Sequence, residues 1–267
     1  MKANTNGIET HYTIEGEGPW LTMSHSLACN TSMWDPQVKA LARRFKVLRY
    51  DTRGHGGSSA PKGPYTLEQL ADDAKALFDA LGIKRTHWAG LSMGGMIGQT
   101  FALKYPGVFE SMVLADTSAR MPASAAPLWA ERVRIAREQG MEPLVEPTLA
   151  RWFTAPYLKA RNEVVEGVAR AIRETAPAGY AGACEAIAKL DVLDSLKTID
   201  CPTLVVVGDQ DPGTPPDMAR EIHQNLPGSQ LVIIPSAAHL SNMEQAGAFN
   251  DALGGFYDSL ARRGAKP

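Results

Sequence analysis

The chain has 267 residues, 44% of them hydrophobic, with 27 Lys and Arg against 29 Asp and Glu. That is enough apolar material for one large core plus an elaboration. A formal charge of -2, with both signs mixed along the chain, offers no basic face to nucleic acid or another polyanion.

In chain order, Ile8 to Glu15 alternates like a strand, and Gly16-Glu-Gly-Pro19 closes it with turn residues. Trp20 to Ser24 is a short apolar strand. Met33 to Phe45 is expected as a helix, with Trp34, Val38, Leu41 and Phe45 spaced for one face. Val47 to Tyr50 is a strand running into the glycine-rich loop Asp51-Thr-Arg-Gly-His-Gly-Gly-Ser-Ser59. Thr66 opens a helix that stops near Gly82. Thr86 to Ala89 is a strand, Met93 to Tyr105 a helix ended by Pro106, and Ser111 to Ala115 another strand. This alternation calls for an α/β fold with a mostly parallel sheet and helices on both faces.

The alternation breaks from Ser118 to about Ser195, where the periodicity is helical: Pro127–Gly140, Met141–Phe153, Arg161–Thr175 and Tyr180–Lys189. Strands resume at Thr203–Gly208 and Gln230–Ile234. The expected organisation is a core of residues 1–117 and 196–267 with a helical lid, 118–195, inserted between two strands. Within it, Arg132-Val-Arg134 and Arg137-Glu138 look like a solvated helix face.

Cys29, Cys184 and Cys201 are an odd, widely spaced set with neither disulfide framework nor metal spacing. A reducing compartment is the simplest inference. No signal peptide is visible at Met1-Lys-Ala-Asn-Thr-Asn6, and no run approaches the ~18 apolar residues of a membrane span. The expectation is a cytoplasmic protein, either monomer or homodimer, with no membrane partner. No histidines pair at metal spacing, and the glycines near 54–57 lack the dinucleotide-binding pattern. No metal and no cofactor are expected.

Gly90-Leu-Ser92-Met-Gly94 lies between an apolar strand and a helix. That context makes a G-x-S-x-G match a tight strand-to-helix turn presenting a serine hydroxyl. A serine needs a base to become nucleophilic, usually a histidine oriented by a carboxylate. Asp211 follows the Thr203–Gly208 strand and His239 follows Gln230–Ile234. All three would gather at one sheet edge, where such folds bind ligands. Asp209 is a rival for the acid, less favoured because it lies closer to the strand end. The oxyanion formed on attack needs backbone donors. Met93 N–H is one, and Leu27 N–H, with Ser26 as the near alternative, is the other. His25 is expected to brace that loop, and Cys29 to be a buried structural thiol.

With these residues in place, the chain resembles the α/β-hydrolase superfamily, on Gly90-Leu-Ser-Met-Gly-Gly95, Asp51-Thr-Arg-Gly-His-Gly56, Gly208-Asp-Gln-Asp211 and Ala238-His239 with Glu244 behind it. Within it, the chain is similar to the 3-oxoadipate enol-lactone hydrolases of aromatic-acid catabolism. That likeness rests on His25-Ser-Leu with Ser32-Met-Trp34, Ala60-Pro-Lys-Gly-Pro-Tyr65, Arg151-Trp-Phe-Thr154 and Gly179-Tyr-Ala-Gly-Ala-Cys-Glu-Ala-Ile187. It implies ring opening of a carboxylate-bearing lactone through an acyl-Ser92 intermediate. An anionic substrate wants a cation under the lid, and Arg151 is the candidate, with Trp152 and Trp129 as apolar walls. Trp34 is either a further wall or core. The family usually carries glycine after the leucine, where this chain has Ala28, and Asp211-Pro-Gly-Thr-Pro-Pro216 is unusually rich in proline and glycine. Other esters, a C–C bond of a ring-fission product, perhydrolysis, or a small-molecule receptor on the same scaffold are the alternatives.

Overall fold

The computed structural model describes residues 1–160 and 162–264. Strands β1 (Lys2–Thr5) and β2 (Ile8–Glu15) form an antiparallel hairpin. β2 then pairs antiparallel with β4 (Lys46–Tyr50). The rest of the sheet is parallel: β3 (Trp20–Ser24), β5 (Thr86–Leu91), β6 (Phe109–Ala115), β7 (Thr203–Gly208) and β8 (Gln230–Ile234). The order is β1-β2-β4-β3-β5-β6-β7-β8. β7 is Thr-Leu-Val-Val-Val-Gly and buried throughout, as a strand covered on both faces must be.

Helices α1 (Asp35–Leu41), α2 (Leu67–Ala80), α3 (Met93–Lys104), α9 (Pro216–Asn225), α10 (Ser241–Glu244) and α11 (Ala246–Gly264) surround the sheet. The helix expected over Met33 to Phe45 is shorter, since α1 starts only at Asp35, after a 3-10 turn over Thr31–Trp34, and ends at Leu41. Pro36 explains the later start, because proline fits only the first turn of a helix. Thr66 starts α2 as read, its hydroxyl accepting the Gln69 N–H at 3.1 Å.

Between β6 and β7 lie α4 (Ala126–Gln139), α5 (Glu142–Trp152), α6 (Ala155–Lys159), α7 (Glu163–Glu174) and α8 (Pro177–Ile187). The short α6 has no counterpart in the sequence reading, and the expected helix start at Arg161 lies outside the described residues. The two legs of this insertion run side by side: Met121 N–H donates to Leu190 C=O and Val192 N–H to Ala119 C=O, both at 2.8 Å. Arg120 adds ion pairs to Asp191 and Asp194. Opposite, α8 rests on the loop after β4, backbone against backbone. A Cβ on Gly54 would lie 2.5 Å from the Gly179 Cα, and one on Gly179 would lie 2.2 Å from the Gly54 carbonyl oxygen. No described helix is long and apolar enough to cross a membrane.

Every parallel strand ends at the same sheet edge. The segments leaving it are the His25 loop after β3, the Asp51 loop after β4, Ser92 after β5, Asp116 after β6, and the loops carrying Asp211 and His239 after β7 and β8.

Candidate active site

Ser92 sits between β5 and α3 at φ 52° and ψ -114°, a region that costs any residue with a side chain. The surroundings enforce it. Its N–H donates to Ala115 C=O at 2.8 Å, and its C=O accepts from Thr117 Oγ1 at 2.7 Å. A Cβ on Gly94 would meet the Ser24 carbonyl oxygen at 2.1 Å, so only glycine lets α3 start this close to β3.

The stretch rich in proline and glycine after β7 proves to be a cradle. Asp211 Oδ1 accepts the N–H groups of Gly213 and Thr214 at 2.8 and 3.1 Å, and Oδ2 accepts Thr214 Oγ1 at 2.7 Å. Such a turn needs a short side chain reaching the backbone two and three residues on. Oδ2 also faces His239 Nδ1 at 2.7 Å. Burial alone pushes the Asp211 carboxyl up, but the His239 charge and these hydrogen bonds outweigh it, leaving its pKa below the usual value. Facing a carboxylate, Nδ1 carries the imidazole proton, and Nε2 is left as the acceptor. Asp209 is exposed and turned away, accepting Ala237 N–H at 3.3 Å.

At the other strand end, His25 donates from Nδ1 to Ser26 C=O at 2.7 Å, while Nε2 accepts Thr52 N–H at 3.0 Å. Burial keeps its pKa low despite the charge of Asp51, so the ring stays neutral and the tautomer is fixed. The Ser26 carbonyl belongs to the same peptide plane as Leu27 N–H, so His25 orients that N–H. Neither Leu27 N–H nor Met93 N–H meets an acceptor among the described residues. Ser26 N–H, the near alternative, is turned to Met33 Sδ at 3.5 Å. Ala28, where glycine is usual, has φ 54°.

Ser92 and His239 line one cavity of ≈ 190 Å³, together with Ser26, Leu27, Trp129, Arg151 and Trp152. An apolar cavity of about 150 Å³ admits benzene, so this one suits a single small ring. The Trp152 ring stacks beside His239, centroids 6.0 Å apart. Arg151 is half-buried and has no acidic partner among the described residues, only Thr148 Oγ1 at 3.2 Å. Burial and the charge of Arg132 push its pKa down to about 10, which leaves it cationic at neutral pH.

One sequence expectation fails here, and of the two roles left open for Trp34 the structure selects the core. Arg132 is not a solvated-face residue. It lines the cavity and lies over the Trp129 ring, 4.5 Å from the centroid, whereas Arg134 and Arg137 point outward to Glu131, Glu138 and Glu185. Trp34 lines no part of the cavity. It is fully buried against Phe249 of α11, because the turn starting α1 tucks it beneath that helix.

The family model described as alpha/beta hydrolase fold matches residues 19–246. The chain belongs to the alpha/beta hydrolase family. It is 38% identical over 248 residues to 3-oxoadipate enol-lactonase 2 of Acinetobacter baylyi, covering 92% of both chains. The crystal structure of the enol-lactonase from Burkholderia xenovorans LB400 superimposes with a TM-score of 0.93 at 41% identity, covering 97% of this chain and 100% of that one. A thermophilic esterase from Thermogutta terrifontis follows at 0.92 and 31%, covering 97% and 98%.

Sequence reasoning missed two further features of this hydrolase. Asp116 follows β6 as Asp211 follows β7, a signal that was there to be read. It is fully buried at φ 44°, with Oδ1 accepting Gly208 N–H at 2.8 Å and Oδ2 paired to Ser241 Oγ at 2.5 Å. Burial and the nearby Asp211 raise its pKa well above the usual carboxylate value. Arg132 was also legible, since Leu128, Trp129 and Arg132 share one face of α4 at helical spacing. Burial pushes the Cys29 thiol up strongly and Cys184 to about 12, which leaves both inert. Among the described residues, no cluster of His, Cys, Asp and Glu is arranged to hold a metal.

Proposed function

We propose that this hydrolase opens a small carboxylate-bearing lactone through an acyl-Ser92 intermediate, with 3-oxoadipate enol-lactone of aromatic-acid catabolism as its substrate. The observation that carries the reading is one cavity of monocyclic size. Ser92 and His239 line it, and so do two arginines without acidic partners among the described residues, Arg132 and Arg151. The enol-lactonase relatives support the choice of lactone.

His239 Nε2 takes the Ser92 proton as Oγ attacks the lactone carbonyl, and Asp211 stabilises the imidazolium. Leu27 and Met93 N–H groups receive the oxyanion. Its collapse breaks the ring C–O bond, and His239 returns the proton to the enol oxygen. The enol tautomerises to the ketone, which draws the ring opening forward. Water, activated by the same histidine, then frees the 3-oxo acid from Ser92. Residues 118–195 act as a cap whose Arg151, with Trp129 and Trp152, holds the substrate's carboxylate end while Ser26 borders the oxyanion loop. The setting is the cytoplasm.

The test is steady-state turnover of wild type and Ser92→Ala on freshly generated 3-oxoadipate enol-lactone and on p-nitrophenyl acetate. Fast, Ser92-dependent lactone opening with weak ester turnover supports the proposal. Good ester turnover with an inert lactone keeps the serine chemistry and overturns the substrate. Turnover that survives in Ser92→Ala overturns the nucleophile.

A further inference from the structure

The residues on both sides of His239 are tied to the insertion. On one side, Ala238 N–H donates to Glu244 Oε2 at 2.9 Å. The other oxygen of that carboxylate, Oε1, accepts Thr154 N–H at 3.0 Å and Thr154 Oγ1 at 2.5 Å. On the other side, Leu240 N–H donates directly to Trp152 C=O at 3.0 Å. Between these ties the Trp152 ring stacks on the imidazole. Glu244 is buried, and its carboxylate is engaged by donors from two segments, the Thr154 N–H reaching Oε2 as well at 3.3 Å. A buried carboxylate bridging segments some 90 residues apart in the chain is a costly arrangement unless its donors are all held.

We infer that Glu244 is a positioning residue that locks the His239 loop to the Arg151–Thr154 segment, so that the base and the carboxylate-binding wall form one rigid piece. This rests on the proposed function for the meaning of Arg151, but not for the lock itself. The base takes its lateral position from the insertion, while Asp211 fixes only the ring's far nitrogen. The distance from Arg151 to His239 Nε2 is thereby fixed and acts as a ruler. A substrate whose carboxylate and scissile carbonyl match the ruler has both ends placed at once. A misplacement of about 1 Å costs roughly a hundredfold in rate, so the ruler discriminates through kcat as well as through binding.

The experiment compares wild type, Glu244→Ala, Glu244→Gln and Thr154→Val, each checked for folding by thermal melting. It reads kcat and KM on the enol-lactone and on p-nitrophenyl acetate, and the rate at which a fluorophosphonate labels Ser92. In Glu244→Ala, kcat on the neutral ester and the labelling rate should fall by about tenfold or more with the ester KM unchanged. The lactone-to-ester ratio of kcat/KM should fall as well. Thr154→Val keeps the Thr154 N–H and removes only the hydroxyl, so it should lose part of this. Glu244→Gln keeps one acceptor and should recover part of what alanine loses. A folded Glu244→Ala with wild-type labelling and a wild-type ratio overturns the inference. If Glu244→Ala does not fold, Thr154→Val decides, and wild-type values there overturn it. An inert lactone with wild-type enzyme overturns the substrate reading, while the labelling rates still judge the lock.

Discussion

The sheet edge and the insertion build their parts of the cavity in opposite ways. At the sheet edge the groups that fix geometry are engaged, Asp211 being wrapped by Gly213, Thr214 and His239 and Ser92 braced at both its N–H and its C=O, while the Leu27 and Met93 N–H groups stay open. On the insertion wall, among the described residues, Arg151 has only a threonine hydroxyl, and Trp129 Nε1 is buried without a partner. Satisfied groups hold geometry, and unsatisfied buried ones are capacity kept for a ligand. On the proposed function, the region that breaks the bond and the region that chooses the substrate are physically separable, and substitutions should separate them.

The sharpest break is at the acid. Asp211→Asn should lower kcat by about ten-thousandfold, because the amide cannot hold the imidazole tautomer. Asp209→Asn should stay within about threefold of wild type, as exposed substitutions away from a site usually do. Steady-state kinetics of the two variants check this, and the reverse ranking would transfer the acid role. On the insertion side, Arg151→Ala and Arg132→Ala should each raise KM for the anionic lactone by roughly tenfold, the scale of a lost charged hydrogen bond. Neither should move KM for p-nitrophenyl acetate by more than about twofold. Equal effects on both substrates would erase the division between regions.

Asp116 sharpens the comparison from within the sheet edge. Its pKa is raised by folding, so its favourable contribution is complete below the unfolded carboxyl value and is lost as pH rises through the folded one. Asparagine keeps a neutral group that pairs with both Gly208 N–H and Ser241 Oγ. Asp116→Asn should therefore melt at a higher temperature than wild type, by a margin that widens from pH 5 to pH 8. A margin independent of pH would mean that Asp116 does not titrate as described. The smallest effect is expected at Ala28→Gly. Removing the left-handed penalty, less the added freedom of the unfolded chain, should stabilise the protein by roughly 0.5–1 kcal/mol, read as a small rise in Tm.

The same division governs what the sequence could disclose. Thr203–Gly208 and Gln230–Ile234 have the strand limits read from their apolar runs, and Ile8–Glu15 those read from its alternation. Ser92, Asp211 and His239 were legible because each follows such a strand, and local pattern then determines position. The insertion is governed by contacts between helices distant in sequence. Arg132 was grouped with its outward neighbours Arg134 and Arg137 by their shared charge, although two residues of helix turn a side chain by roughly 200°, from cavity to solvent. Trp34 carried no mark of facing α11, which begins more than 200 residues later. Glu244 stood behind His239 in the sequence, but its partner Thr154 belongs to another element altogether.

The contact between Gly54 and Gly179 bears on how such a protein acquires new substrates. A side chain at either position would lift α8 off the core, so that the part of the wall that α8 supplies, Tyr180 and Ile187, has almost no room for sequence drift. α4 buries a single residue, Ala136, and carries Leu128, Trp129 and Arg132 to the cavity. Lineages that change their substrate should accumulate their substitutions along α4, and a library confined to that helix would search most of the accessible chemistry while leaving the hydrolytic machinery untouched.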